Sequence, residues 1–526
     1  RRRPAPPPPG APARPGMPVV SRGGMLGKLQ EQQQRYGATK EPLDAATGES
    51  KAAANPDEDD VSVKKVLRFA LPALAIFLAN PAMSFIDTAF VGWGSSVELA
   101  ALNPASLLTG TAVFLLSFLP RATTGLVSRA LAKSEGGNAA AKQETRVALS
   151  AALWIGSAMG LGLTLGGRAL LGALQVPAEL YAPAMAYVRI VGALTPATII
   201  CSVAQAGVLA TQASGAAARS VIIATIFNFC GDLLFCQWPL QKGIAGAALA
   251  TAIASVVACT LQLRALGSKN LLPDKSILRP PGLQEALPLL KYAGPLSVIV
   301  LTRVAGYSFA SAAAVKLGTT KLAAHQVLNT LFIFFACFGE PFSQCGQAML
   351  PKFYDRGQNG DVAAAQRAKD LFGNIFRAGA TGAVGLAAAA AMAVYFGGSL
   401  VTSDAAVLAA MREACPALAV TLVALILAVC VDGAMVAAQD FGWIIRNNCF
   451  ACGMQAGILV LTQKWGWGLN GIWAAFFCRL AFYTAASLRR LYSPKGGLGK
   501  MSAIVDAANA EAPPAAGQQP AAAAAA

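Results

Sequence analysis

Residues 66–92 read VLRFALPALAIFLANPAMSFIDTAFVG, with Arg68 near the start and Asp87 near the end as the only charges. At about 1.5 Å per residue, a helix of this length exceeds the roughly 30 Å hydrocarbon core of a bilayer. The run is continuously apolar rather than alternating, which excludes a strand of a membrane β-barrel. A carboxylate at hydrocarbon depth costs about 2.5–3.5 kcal/mol on insertion scales, so such acids face a bundle interior or a water-filled cavity. Asp87 is therefore a candidate proton or ion site. Asp232 and Asp432 lie inside later apolar runs and extend the same reading.

The pattern repeats along the chain. Of its 526 residues 55% are hydrophobic and only 13% charged, against about 25% charged in a soluble protein. Apolar windows and breakers predict spans at 66–92, 99–130, 146–174, 180–211, 217–239, 243–266, 286–314, 322–352, 370–400, 404–437, 441–463 and 468–492. The expected fold class is an all-α polytopic membrane protein, with twelve transmembrane helices in two six-helix lobes related by pseudo-two-fold symmetry. The longest polar interruption, 267–285, divides an N-terminal lobe (64–266) from a C-terminal lobe (286–492).

The net charge of +16 is spread between the apolar runs rather than gathered in one basic domain, which argues against a nucleic-acid partner. No CxxC pair or His/Cys spacing suits a metal, and the chain has one histidine. The cysteines read as small apolar fillers, among them Cys201, Cys230, Cys236, Cys259 and Cys337. No enzymatic activity, cofactor or metal is expected. The anticipated partners are the lipid bilayer and a small organic solute, with the protein a monomer.

Residues 1–63 differ in kind. They open RRRPAPPPPGAPARPG without an initiator Met, which suggests an incomplete or processed chain, and Glu31 is the only acid before Lys40. This composition fits an organellar transit peptide, or else a disordered tail. Residues 493–526, ending in an alanine run, are expected to be disordered.

Charge sorting tests the span count. Segments on the side of the termini carry Lys64, Lys65, Arg68, Arg129, Lys133, Arg264, Lys269, Arg279, Arg356, Arg367, Arg489 and Arg490, among others. Those opposite show Arg168, Lys242, Lys316, Lys321, Arg412 and Lys464. Positive-inside sorting then puts both termini in the cytoplasm, or in the stroma if the membrane is a plastid envelope. The halves also resemble each other: Phe69-Ala-Leu-Pro72 matches Tyr292-Ala-Gly-Pro295, and Glu98-Leu-Ala-Ala-Leu102 matches Lys321-Leu-Ala-Ala-His325, at an offset of 223. Pro120–Gly125 matches Pro341–Gly346 at 221. With an even number of spans per half, the repeats run parallel about an axis along the membrane normal.

Several motifs, in order, carry a family resemblance: FIDTAFVG (85–92), RATTGLVSRA (121–130), NFCGDLLF (228–235), GIAGAALATAIAS (243–255), KLAAHQV (321–327), GQAMLPKF (346–353), VDGAMVAAQDF (431–441) and GLNGIWAAFFCRL (468–480). Over about residues 64–492 the chain resembles multidrug and toxic compound extrusion (MATE) transporters, most of all the DinF-like branch that includes plant plastid and organic-anion exporters. By that resemblance Asp87, Asn228 and Asp232 match the family's cation-binding residues in the first lobe, with Thr251 a looser match. Pro72 matches the proline at which the family's first helix bends on protonation.

The residues themselves support a site there. Asn228 and Asp232, spaced i and i+4, share a helix face, and two carboxylates held close favour a proton on one of them. Pro81, nearer the acid than Pro72, is a second point at which the helix can bend. In the second lobe Arg303, Glu340 and Asp432 are candidates for a substrate or second cation site, with Arg303 able to meet an anion or to pair with Asp432 or Glu340. Asp432 could equally serve helix packing. Position 310, which matches Asp87 in the repeat, is alanine, so the second lobe does not duplicate the first site. Asp440 and Arg446 read as a solvated pair or cap, His325 as an interfacial packing residue, and Trp465, Trp467 and Trp473 as an interfacial belt.

The expected function is a secondary active antiporter that exports drug-like compounds or organic anions in exchange for H⁺, or Na⁺, by alternating access. The alternatives are a lipid-linked oligosaccharide flippase and a non-transporting membrane scaffold. The scaffold has no need of Asp87 and Asp232 at this depth. The expected location is a multi-pass position in the chloroplast envelope, or in the plasma or another cellular membrane.

Overall fold

The computed structural model describes residues 60–511 except 134, 135, 175, 238, 274, 275, 402 and 403. The Arg-rich segment read as a transit peptide or tail lies outside them up to residue 59, as do residues 512–526. Every regular element among the described residues is helical. In chain order the α-helices are α1 (Val63–Gly94), α2 (Ser96–Leu115), α3 (Phe118–Leu131), α4 (Gly137–Ala173), α5 (Tyr181–Ala210), α6 (Ser214–Cys236) and α7 (Gly243–Ser268). The second half contributes α8 (Leu283–Val315), α9 (Thr319–Ala336), α10 (Glu340–Gln358), α11 (Val362–Val401), α12 (Ala405–Ala437), α13 (Phe441–Lys464) and α14 (Gly468–Leu491). Last comes α15 (Gly497–Glu511).

Among the described residues, twelve spans are long and apolar enough to cross a membrane. Two of them are broken helices, α2 with α3 and α9 with α10. The breaks fall at Leu116–Ser117 and Cys337–Gly339, where the backbone switches to tight i→i−3 bonds such as Leu116 N–H to Val113 C=O and Cys337 N–H to Phe334 C=O (3.1 and 3.2 Å). These are equivalent places in the sequence repeat. Helices α4 and α11, the third span of each half, run for 37 and 40 residues, about 55–60 Å. Their polar first turns extend beyond the apolar windows expected at 146 and 370.

Local chemistry sets the helix starts. Ser62 Oγ accepts the Lys65 N–H (3.3 Å) at the head of α1, and Asp404 Oδ1 accepts the Ala406 N–H (2.8 Å) at the head of α12. Glu98 accepts the Ile244 N–H (2.9 Å) and so caps α7 from a neighbouring helix. Gly243, at φ +52°, must lack a side chain there, because a Cβ would run into the Glu98 carboxylate. In the first half α4, α5 and α7 pack in sequence, and α6 bridges α7 and α1. In the second, α12 packs on α10, α11 and α14, while α13 bridges α14 and α8.

Four expectations change. The chain after 493 is not wholly unstructured: Leu498, Met501 and Val505 recur at helical spacing, are buried, and fasten α15 to α10 and α11. Trp473 is not interfacial but fully buried against Phe332, Phe476 and His325. His325 goes with it into the core, since neighbouring aromatic surface removes both from lipid and water. Trp465 and Trp467 remain exposed and adjoin each other, with ring centroids 5.4 Å apart. Asp440 pairs with Arg490 (2.5 Å) rather than Arg446, whose Nε donates to the Gly442 carbonyl (3.1 Å). The last turn of α14 carries its Arg alongside Asp440, whereas Arg446 turns along its own helix.

Candidate functional site

Between the two halves lies a cavity of about 1240 Å³, lined by residues of both. Hydrogen bonds and ion pairs join the halves at the end where α1 begins. Arg129 of α3 pairs with Asp355 and donates to the Ala437 carbonyl (2.6 Å), and Ser128 Oγ donates to the Gln347 carbonyl (3.1 Å). Arg146 meets Glu285 at 2.7 Å.

On the first-half side, α1 runs as one helix through Pro72 and Pro81 and presents Asp87, a buried side chain that still touches the cavity. Asn228 Nδ2 of α6 donates to Asp87 Oδ1 (3.3 Å), and Thr251 Oγ1 of α7 donates to Asp87 Oδ2 (3.1 Å). One turn beyond Asn228, Asp232 is wholly buried and lies against the Asp87 carboxyl. Asn228 Oδ1 and Asp232 Oδ2 are buried acceptors with no donor among the described residues, and no ion pair to either acid is formed there. The four residues singled out from sequence thus come together as a pocket rich in acceptor oxygens. Among the described residues, no group of three or more His, Cys, Asp and Glu side chains could hold a metal ion.

The second-half side has the opposite character. Arg303 of α8 pairs with Asp432 of α12 at 2.5 Å, not with Glu340. Glu340, at the start of α10, meets Arg121 of α3 at 2.9 Å, which ties the two halves together. Arg121 also approaches Asp432 (3.9 Å), and the Tyr483 hydroxyl donates to Asp432 Oδ1 (2.7 Å). Arg479 of α14 donates to Gln455 Oε1 (2.9 Å) and the Thr302 carbonyl (3.1 Å). Arg121 and Arg303 thus hold the two carboxylates while Arg479 bonds neutral oxygens, and all five residues line the cavity. Arg303, Glu340 and Asp432 were legible in the sequence; Arg121 and Arg479 were not assigned roles. Each is an arginine inside an apolar run, the same signal that marked Asp87.

A bundle of twelve membrane-crossing helices, its repeated halves enclosing a solute-sized cavity with buried charges, has the form of a membrane transporter. Comparisons with known proteins make this specific. The MatE family model matches residues 72–234. DETOXIFICATION 47, chloroplastic, of Arabidopsis thaliana is 30% identical over 450 residues, covering 82% of this chain and 79% of that protein. DETOXIFICATION 44, chloroplastic, of the same plant is 24% identical over 443 residues, covering 82% of each. Among solved structures, a multidrug resistance MATE family transporter of the MOP superfamily in its outward-facing conformation superposes with a TM-score of 0.74 at 16% identity, over 86% of this chain and 98% of that one. The bent form of the Vibrio cholerae MATE transporter VcmN gives 0.71 at 17% identity, over 85% and 99%. The chain belongs to the MATE family of transporters and is an integral, multi-pass membrane protein. Its relatives are transporters, not enzymes.

Proposed function

We propose that the protein is a secondary active antiporter that carries an organic anion through the central cavity in exchange for a cation, H⁺ before Na⁺, bound at Asp87, Asn228, Asp232 and Thr251. The observation that carries this reading is the division of charge within one cavity, with acids that form no ion pair on one side and, on the other, a cluster of three arginines with two acids that Arg121 reaches from the first half. An anionic solute finds guanidinium donors in Arg303 and Arg479 of the second half, joined there by Arg121 reaching across from α3. A cation finds two neighbouring buried acceptors without donors, Asn228 Oδ1 and Asp232 Oδ2, in the first half. Pro72 and Pro81 leave α1 short of backbone hydrogen bonds along its length, so a change of charge at Asp87 can alter its bend. Coupling requires only that the cation bind the two facings of the transporter with different affinity.

The chloroplastic relatives support a plastid membrane as the location. Fusing the complete N-terminal segment to a reporter tests this: import into plastids is expected, and a cytosolic or plasma-membrane signal would refute it. For transport, the test is efflux of an organic anion from proteoliposomes under an imposed pH or Na⁺ gradient, comparing wild type with Asp87→Asn. Gradient-driven efflux should occur in wild type and fail in the variant. Equal efflux in both would sink the coupling proposal, and a response to Na⁺ alone would replace the proton by Na⁺.

A further inference from the structure

At the end of the bundle that carries α15 lies a second cavity of about 340 Å³. Arg129, Arg490, Lys495 and Lys500 bring four positive charges to its wall, and Asp440 one negative charge. The acids at hand are committed: Asp355 to Arg129, and Asp440 to Arg490. Lys495 and Lys500 are exposed.

Tyr354 makes this more than a basic patch. It lines the cavity yet is 1% exposed, and its buried hydroxyl has no hydrogen-bond partner among the described residues. Burying an unpartnered hydroxyl is costly, and a phenolic O–H is a good donor to an anionic oxygen. Helix α15 begins at the same place: a Cβ on Gly497 would sit 3.3 Å from the Tyr354 hydroxyl. The first turn of a 15-residue helix, with its free N–H groups and positive dipole end, therefore adjoins that hydroxyl. Helix N-terminus, guanidiniums, ammoniums and hydroxyl are all donors, and they converge from α3, α10, α14 and α15.

We propose that this cavity binds a phosphoryl group, carried either by a soluble phosphorylated anion or by a phospholipid headgroup, and that the bound group clamps α15 to the ends of α3, α10 and α14. A phosphoryl group combines about two negative charges with several strong acceptor oxygens, matching a set of donors that one carboxylate would leave partly unused. The volume lies at the lower end of the roughly 300–1,000 Å³ usual for small-molecule pockets. The site stands apart from the central cavity and does not depend on the coupling proposed above.

The test uses the full purified chain. Its thermal unfolding is followed against inorganic pyrophosphate in detergent, and separately in phosphatidylcholine nanodiscs with and without phosphatidylglycerol. Tyr354→Phe removes only the unpartnered hydroxyl, so its unfolding midpoint without ligand should equal or exceed that of wild type. Its pyrophosphate affinity, or its response to phosphatidylglycerol, should nonetheless fall about tenfold. The exposed double variant Lys495→Gln/Lys500→Gln should lose about tenfold or more. In wild type, bound ligand should also slow tryptic cleavage after Lys495 and Lys500. Stabilisation by pyrophosphate identifies a soluble phosphoryl ligand, and stabilisation by phosphatidylglycerol alone identifies a headgroup. No response to either probe overturns the proposal, as does undiminished binding in Tyr354→Phe, which would reduce the site to surface electrostatics.

Discussion

The two walls of the central cavity start from equivalent places in a repeated fold and end with opposite chemistry. Asp87 on α1 corresponds to the buried Ala310 on α8, while Arg303 on α8 corresponds to Asn80 on α1. The first wall holds two acids that lie against each other and meet amide, hydroxyl and thiol partners, with no ion pair among the described residues. On the second, Asp432 is held by Arg303 and Tyr483, and Glu340 by Arg121. A buried carboxylate without a counter-charge is sensitive to protonation, whereas one paired with arginine and tyrosine is fixed. The repeat thus supplies the frame twice, and single substitutions decide which charges each half carries.

The strongest way to break this comparison is Asp87→Asn. It keeps shape but removes the charge, and efflux driven by an imposed gradient should fall by about tenfold or more. The unfolding midpoint should hold, because an acid with no counter-ion is lost. The second wall should behave in the reverse manner. Arg303→Ala strands Asp432 in a buried site and should destabilise the protein by about 3 kcal/mol in a thermal or denaturant unfolding measurement. Replacing both partners, Arg303→Met with Asp432→Leu, should recover most of that stability but not anion efflux. Recovery of efflux would remove the second wall from substrate binding.

A smaller effect sharpens the role of backbone geometry. Gly433 follows Asp432 where α12 crosses α10, and a Cβ there would lie 2.5 Å from the Ser343 carbonyl oxygen. Gly433→Ala should push the helices apart, cost about 1–3 kcal/mol, and lower efflux by moving Asp432 off Arg303.

The smallest effect belongs to a site remote from both walls. Between α10 and α11, Asp361 accepts the Ala364 N–H (2.9 Å) and meets Arg356 (2.7 Å), and the backbone bond above all holds its carboxyl below the usual carboxylate range. Its contribution is present above a pH of about 3.9 and is lost as pH falls through the lowered folded-state pKa. Asp361→Ala should cost about 1 kcal/mol of stability above that pH, with efflux unchanged.

Much of this was legible along the chain. A continuous apolar run longer than a bilayer has only one low-energy solution, a helix, because lipid offers the backbone no other hydrogen-bond partner. Apolar length gave the twelve spans and exposed Asp87, Asp232 and Asp432 as groups too polar to face lipid, while matched segments at offsets of 221 and 223 gave the repeat. Arg121 and Arg479 obeyed the same rule but stood in motifs that read as family markers, so their part in the cavity went unassigned. Trp473 was misplaced because a tryptophan in a span suits an interface and a core equally well, and only its neighbours decide. The tail reading failed at α15 because one small amphipathic face counts for little until a groove exists to bury it.

The sequence by itself determined the class of molecule, the number of crossings, the pseudo-symmetry and the depth of each charge, since these follow from how apolar length and charge partition between lipid and water. Only the tertiary structure decided which charges meet. Arg303 chose Asp432 over Glu340, Arg121 crossed between the halves to Glu340, Asp440 turned to Arg490, and the Tyr354 hydroxyl came to stand beside the start of α15. Pairing depends on helix rotation and on contacts between residues far apart in the chain, and no local periodicity encodes either.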